Sequence, residues 1–325
     1  MLHKLFAALV SAVLVVTVSA PAVAQTYKLR LGSVLAPSDP LQVAAEGFSK
    51  AVAARTQGRL VVDVFPNSQL GDTQQMMDAA AAGANIGTFV EASRVSPHVP
   101  EFNVLVAPFA FDSVDELAKF AESKTFADWN QRLKEKTGLT LLAYNWYQGP
   151  RHLLTKKAVT KPSDLAGVKL RTIGQPLWVE TMKAMGSLPT PMAWAEVYPA
   201  LQSGVIQAAE AQPSAIWGAK LHEVVTHITL TSHIHLMSGL IVSDKWMQSL
   251  PAEFRVVLTE EAKRWGASAL KANVDGADKI FDDIRKAGVK VDKIDVTPFR
   301  DAVKPVHESM KLTGLVAEVR KTLGK

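Results

Sequence analysis

Arg151 in QGPRHLLT and Arg171 in GVKLRTIG each interrupt a run of residues that would otherwise suit a buried strand. A guanidinium in such a place needs a negative partner, and its planar fork of N–H donors matches a carboxylate. The partner can be an acidic side chain of the same chain or the carboxylate of a bound small molecule, and residue types alone leave both uses open. Glu91 and Arg94 in VEASR follow the apolar run IGTFV and occupy the same kind of strand-end position. They can face a ligand, or pair with each other in a solvated loop. Trp146, Tyr147, Trp178 and Trp194 lie near the arginines in sequence. Aromatic walls with a few convergent polar groups line small-molecule clefts, although core packing accounts for any one tryptophan equally well. For Trp129, Trp217, Trp246 and Trp265, helix packing suffices.

Other chemistry is poorly provided for. The chain has no G-x-S-x-G elbow, no G-x-G-x-x-G or Walker-type loop and no H-E-x-x-H. His222 and His227 in HEVVTH are five apart, which on a helix turns the second about 140° from the first, so they read as surface or helix-end histidines. His233 and His235 in TSHIHL fall on one face of a strand and could recruit a metal, yet no carboxylate or third ligand lies nearby. Cysteine is absent, which removes disulfides, thiolate metal sites, a cysteine nucleophile and an amino-terminal lipid anchor on cysteine. No metal or other cofactor is expected.

The elements that must position these residues alternate. YKLRLGSV reads as a strand, and Ser38 or Asp39 can cap a helix that has Pro40 in its first turn. RLVVDVF, IGTFV, GLTLLAYNWY, RHLLT and VKLRTIG read as further strands, with GDTQQMMDAAAAGA, PLWVETMKAMG, AWAEVYPALQSG and PSAIWGAKLHEVV as helices between them. Ser113 and Glu116 form an S-x-x-E capping box, and HITLTSHIHLMSGLIVS reads as one long strand-like tract. This order predicts an α/β protein with parallel sheets covered by helices, whose ligands sit at the carboxyl ends of strands. The stretch from Pro251 to about Ala287 is more than twice a typical helix and predicts an element spanning two domains.

Length and charge agree with that picture. The chain has 325 residues, 48% of them hydrophobic and 21% charged, enough for two packed cores. Leu5 to Val18 is an apolar run after His3 and Lys4, and Ala22-Val23-Ala24 precedes Gln25, which predicts a signal peptide cleaved after Ala24. The run is shorter than the roughly 20 residues of a membrane span. Export places the mature protein in the periplasm. Cleavage removes one lysine, so the net charge falls from +5 to +4, with both signs interspersed. That mild excess suits anionic small molecules better than nucleic acid, for which no partner role is expected.

FPNSQLG, VEASRVSPHVPEF, GPRHLLT with GVKLRTIG, PTPMAWAEVYPALQSGVIQAAEAQPSAIW and KLHEVVTHITLTSHI occur in order over nearly the whole mature chain. In this combination the sequence resembles the extracytoplasmic solute-binding proteins of tripartite ATP-independent periplasmic (TRAP) transporters. The resemblance implies a two-domain periplasmic binding protein fold, with a ligand cleft between the domains and a long domain-spanning helix. It also implies capture of an organic anion, such as a monocarboxylate, a dicarboxylate or a sialic acid, for membrane permease subunits driven by an ion gradient. Residue by residue, it implies that Arg171 forms the main salt bridge to the ligand carboxylate. Arg151 lines the site, Trp194 packs on the ligand, and Glu91 with Arg94 serve as in sialic-acid-binding members. Many members have Glu-Asn-Pro where this chain reads Glu210-Ala211-Gln212-Pro213, so Gln212 is the amide left to replace the missing asparagine. An aspartate common before that motif is Gln207 here, and a frequent His-Pro is Asp39-Pro40.

The expected domains are 25–148 with about 237–276, and 149–236 with about 277–325. The expected ligand contacts are Arg171, Arg151, Trp194, Glu91, Arg94, Gln212, Trp146 and Tyr147. With four aromatic rings near the arginines, a compact or flat, partly apolar carboxylate is expected ahead of a sugar acid. The rival readings are an exported enzyme with Glu91, Glu196 or Glu210 as general base, and a binding protein for an ATP-driven transporter.

Overall fold

The computed structural model describes residues 25–325; the expected signal peptide lies outside them. Strand β1 (Tyr27–Gly32) shows how the elements arise: Leu29 and Leu31 are buried while Lys28 and Arg30 alternate outward. The first domain continues with helix α1 (Pro40–Arg55), β2 (Leu60–Phe65), α2 (Thr73–Ala81), β3 (Ile86–Glu91), α3 (Val114–Ala121), α4 (Lys124–Thr137) and β4 (Leu139–Pro150). Next come β5 (His152–Thr155), β6 (Lys169–Thr172), α5 (Pro176–Ala184), β7 (Leu188–Pro191), α6 (Val197–Ser203), β8 (Ala208–Ala211), α7 (Pro213–Gly218) and β9 (His227–Leu230). The chain ends with β10 (His235–Ser243), α8 (Asp244–Ser249), α9 (Ala252–Lys286), β11 (Lys290–Lys293), α10 (Thr297–Ala302), α11 (Lys304–Ser309) and α12 (Thr313–Thr322).

The strands form two sheets, in the orders β2-β1-β3-β10-β4 and β11-β9-β5-β8-β6-β7. Both are mixed, which corrects the expectation of parallel sheets. β1 is parallel to β2 and β3, whereas β10 runs antiparallel to β3 and β4. In the second sheet β5 is antiparallel to β8 and β9. The cause is the way the chain crosses between domains. β4 passes into β5 with Arg151 alone between them, and β9 stops at Leu230 before the chain re-enters the first sheet as β10. The tract HITLTSHIHLMSGLIVS is therefore two strands in two sheets. The crossings are tied together: Arg151 N donates to the Ile234 carbonyl at 2.9 Å, and Ser232 N donates to His152 Nδ1 at 3.2 Å.

Helix α9 is the third crossing. Its 35 residues span about 50 Å. Phe254, Leu258, Ala262 and Ala269 enter the first domain's core, and Phe281 and Ile284 enter the second's. Gly266 sits where β4 passes closest, since a Cβ there would lie 2.0 Å from Asn145 Oδ1. The last helices reach back across the molecule: Phe299, Val303 and Val306 share one core with Phe102 of the first domain and Leu177 of the second.

Local signals held where they were short-range. Asp39 caps α1 through the Leu41 N–H at 2.9 Å. The Ser113 box is half made: Ser113 accepts from Glu116 N, but the Glu116 carboxylate turns to Asp112 N. AWAEVYPALQSG is a short 3-10 turn (Trp194–Glu196) before α6, and PSAIWGAKLHEVV is α-helical only to Gly218, with a separate 3-10 turn at Leu221–Glu223. His222 and His227 therefore share no helix; His222 stacks on Trp217 with centroids 4.4 Å apart, and His227 opens β9. His233 and His235 also part company. His233 is buried in the crossing against Thr231 Oγ1 at 2.8 Å, while His235 Nδ1 meets the Tyr147 hydroxyl at 2.9 Å.

Candidate ligand-binding site

The strand ends of both domains converge on a cleft of about 320 Å³. From the first domain come Ser33 to Leu35 after β1, Asp72 and Thr73 at the start of α2, Glu91 at the end of β3 with Arg94 just beyond it, and Gln148 and Ser238 from β4 and β10. From the second come Arg171, Ile173 and Gly174 at the end of β6, Pro191 to Trp194 after β7, and Gln212 and Ala215 at the start of α7, with Arg151 on the crossing between.

Arg171 is 4% exposed. Its Nε and Nη2 donate to the Met192 carbonyl at 3.2 and 3.0 Å, and its guanidinium lies 5.3 Å from the Trp194 ring. Among the described residues no carboxylate lies within salt-bridge distance of it, and Arg171 is the only arginine lining the cleft of which this is true. Burial pushes its pKa down from the ordinary arginine value to about 10, opposed by the charge of Glu210 and reinforced by Arg151 and Arg94. The group stays cationic at neutral pH.

Arg151 is differently placed. Its Nε pairs with the Glu210 carboxylate, Nη2 donates to the Glu210 carbonyl at 2.7 Å, and Nη1 donates to Gln212 Oε1 at 2.7 Å. Its guanidinium lies 5.0 Å from the Trp178 ring. Burial alone would raise Glu210; Arg151 and the neighbouring His233 outweigh it and hold the carboxyl below its ordinary range. Arg151 thus lines the cleft as half of a buried ion pair. Gln212 extends the chain of bonds, giving its Nε2 to Gln148 Oε1 at 2.8 Å, and Gln148 gives its own Nε2 to Ser238 Oγ at 2.6 Å. An amide pair therefore bridges the two domains.

Glu91 and Arg94 pair with each other at 2.9 Å, at 8% and 17% side-chain exposure. With Glu91 buried and Arg94 partly so, they form a pair in the cleft wall and not the solvated one the residue pattern also allowed. Ser93 Oγ donates to Glu91 at 3.3 Å, and Arg94 Nη1 donates to Gln74 Oε1 at 3.4 Å. Trp194 lines the cleft and also packs on both domain cores.

Two expected contacts are corrected. Trp146 is fully buried one layer behind the cleft, 4.7 Å from the Phe89 ring and edge-on to Phe48 at 6.3 Å. Tyr147 is 2% exposed, shares the other core with Leu153 and Met237, and points its hydroxyl at His235. Trp178 also stands outside the lining, buried, with its Nε1 donating to Ser93 Oγ of the opposite domain at 2.9 Å. Strand alternation sends Trp146 and Tyr147 into cores on opposite faces of the sheet.

The β4 residue that does reach the cleft, Gln148, was missed. Leu236 pairs with Gly149 and Met237 with Tyr147, so Gln148 is the extra residue of a β-bulge. Gly149 has φ 125°, a conformation suited to glycine. The bulge re-aims the amide into the cleft. The pair Gln148-Gly149 was the available signal, as was Asp72 three residues before Gln75 for the α2 cap whose first turn faces the site.

Residues 31–313 match the model of the bacterial extracellular solute-binding proteins, family 7. The chain belongs to this family. It is 31% identical over 303 residues to the 2,3-diketo-L-gulonate-binding periplasmic protein of Escherichia coli K12, covering 90% of this chain and 92% of that one. Among solved structures, it resembles a TRAP periplasmic solute-binding protein of Escherichia fergusonii in an apo, open form. The two are 42% identical over 91% of this chain and 100% of the other, with a TM-score of 0.80. A TRAP solute-binding protein of Actinobacillus succinogenes with bound L-galactonate is 29% identical over 91% of this chain and 99% of its own, with a TM-score of 0.87. Members of family 7 are solute-binding proteins and not enzymes. The carboxylates at and just behind the cleft are engaged within the protein: Glu91 and Glu210 each pair with an arginine, Asp72 accepts from Gln75 N, and Glu196, outside the lining, accepts from Ala193 N at 2.9 Å.

Proposed function

We propose that the protein captures a small hydroxylated carboxylate in the cleft, in the periplasm, and delivers it to TRAP membrane permease subunits. The observation that carries this reading is Arg171, a buried guanidinium held in place by a main-chain carbonyl and an indole, with no carboxylate of the described residues within salt-bridge distance. The ligand supplies the missing charge. Closing the domains over it expels water, so the same charge-assisted bonds gain strength in a lower dielectric. Binding then favours the closed arrangement over the open one.

Glu91, Arg94, Arg151, Gln212 and Trp194 complete the contacts. The expectation of a compact or flat, partly apolar acid rests on four aromatic rings, and three of them stand outside the cleft. Ser33, Thr73, Gln148 and Ser238 take their place as hydroxyl and amide groups, which suits a ligand with several hydroxyls. Relatives bind ligands of this kind: L-galactonate occupies the Actinobacillus protein, and D-glucuronate occupies a Pseudomonas putida relative that is 26% identical.

A thermal-shift screen of sugar acids and simple carboxylates, followed by calorimetry on the hits, tests the proposal. Carboxylates are expected to stabilise the wild type and not the Arg171→Ala variant. Stabilisation that persists in that variant would remove Arg171 as the anchor. Genes for two integral membrane subunits are expected nearby, and an ATPase gene in their place would point to the other transporter class.

A further inference from the structure

The reading of the cleft as a carboxylate site leaves open how many carboxylates it accepts. Arg94, Arg151 and Arg171 are the cations of its lining, and no lysine is among the lining residues. Two of the three are already neutralised. Arg94 is held by Glu91, which is 7% exposed, and Arg151 by Glu210, which is fully buried. The lining also carries two negative charges, Glu91 itself and Asp72, whose carboxylate is occupied in capping α2.

We infer that the cleft selects singly charged acids and that Glu91 excludes a second carboxylate. The first carboxylate of a ligand meets Arg171. A second one, at the far end of the same molecule, has two choices. It can face the first domain's wall, where Glu91 and Asp72 repel it, or it can take Arg94 or Arg151 from its partner. Either exchange leaves a buried Glu91 or Glu210 unpaired, which is the expensive way to break an ion pair. A hydroxyl at the same position has no such conflict: it can donate to Glu91 and accept from Arg94 while the pair stays intact. The penalty for leaving a buried carboxylate without its counterion is more than enough for at least about a tenfold preference. Glu91 is thus a specificity-determining residue for the solute.

The test compares acids that share a carbon skeleton and differ at one end. Aldonates of four to six carbons and the aldarates of the same configuration are titrated calorimetrically at neutral pH, with succinate as a short dianion, into full-length mature protein freed of carried ligand. The tightest monoacid is expected to bind at least about tenfold more tightly than any diacid. A diacid within tenfold of it overturns charge selection but leaves the carboxylate site standing. Failure of every carboxylate to bind overturns the carboxylate reading, and this inference with it.

Glu91→Gln keeps the side chain's shape and releases Arg94, so it is expected to raise aldarate affinity about tenfold or more while aldonate affinity changes less. Parallel losses for both acid types would make Glu91 a plain ligand contact and overturn its role as a filter. An intact thermal unfolding transition shows that the variant is folded.

Discussion

Replacing Arg171 by methionine separates the two uses of a buried guanidinium. If the residue serves the ligand, binding suffers and the fold does not. Truncating one partner of a buried, hydrogen-bonded charge pair costs about 2–5 kcal/mol of binding, or about 30-fold to several thousandfold in affinity. The stability side can be worked from the surroundings. Depressing the guanidinium from its ordinary value to about 10 by burial corresponds to about 3 kcal/mol against holding the charge there at neutral pH. Against it stand two hydrogen bonds to the Met192 carbonyl, about 1 kcal/mol each, and the Trp194 contact, about 1 kcal/mol. The terms nearly cancel. Apo Arg171→Met is therefore expected to unfold within about 1 kcal/mol of the wild type, a shift of only a few degrees. The Arg171→Lys variant keeps the charge and loses the fork, so its affinity falls between the two. Calorimetry gives the binding arm and thermal denaturation of ligand-free protein the stability arm. A methionine variant that unfolds more than about 3 kcal/mol below wild type, together with unchanged binding in the lysine variant, would refute the reasoning.

Three other outcomes follow from the same geometry. Glu210→Gln leaves Arg151 buried without its counterion and is expected to cost about 3–5 kcal/mol of stability, seen in denaturant or thermal unfolding; a loss under 1 kcal/mol would contradict the ion pair's role. Asp39 is buried at the start of α1, and desolvation raises its pKa from 3.8 to about 6. The folded state then holds this proton more tightly than the unfolded chain, so stability from this group is full below pH 4 and falls by about 3 kcal/mol as pH rises through 6. Asp39→Asn keeps the helix cap and should flatten that part of a stability–pH profile. Trp178→Phe removes the buried interdomain bond to Ser93, worth about 1 kcal/mol, and should weaken ligand binding several-fold, with a faster off-rate in stopped-flow traces.

Much of the fold was legible because it rests on short-range rules. The alternation of Leu29 and Leu31 with Lys28 and Arg30, the Asp39-Pro40 helix start and the length of α9 depend on neighbours in the chain. The crossings were not legible in the same way. HITLTSHIHLMSGLIVS has the composition of one strand, and only its pairing partners, β5 and β11 on one side and β3 and β4 on the other, divide it in two. The aromatic wall failed for a related reason. Parity along β4 says which face Trp146 takes, but depth along the strand decides whether that face is core or cleft, and the bulge at Gln148 shifts the parity just where the cleft begins.

Arg151 and Arg171 looked equivalent as residues, and what distinguishes them is sheet register. β5 and β8 pair with His152 opposite Ala211 and Leu153 opposite Glu210, which brings Arg151 to the Glu210-Gln212 end of β8 and supplies its counterion from 59 residues away. β6 pairs with the same strand one step earlier and in the other direction, so Arg171 lies opposite Ala209, and opposite Thr190 on its other side. Neither neighbour can carry a charge. One strand, β8, thus satisfies the arginine on one flank and leaves the arginine on the other flank unsatisfied. The lack of a counter-charge at Arg171 is therefore a property of how three strands are aligned.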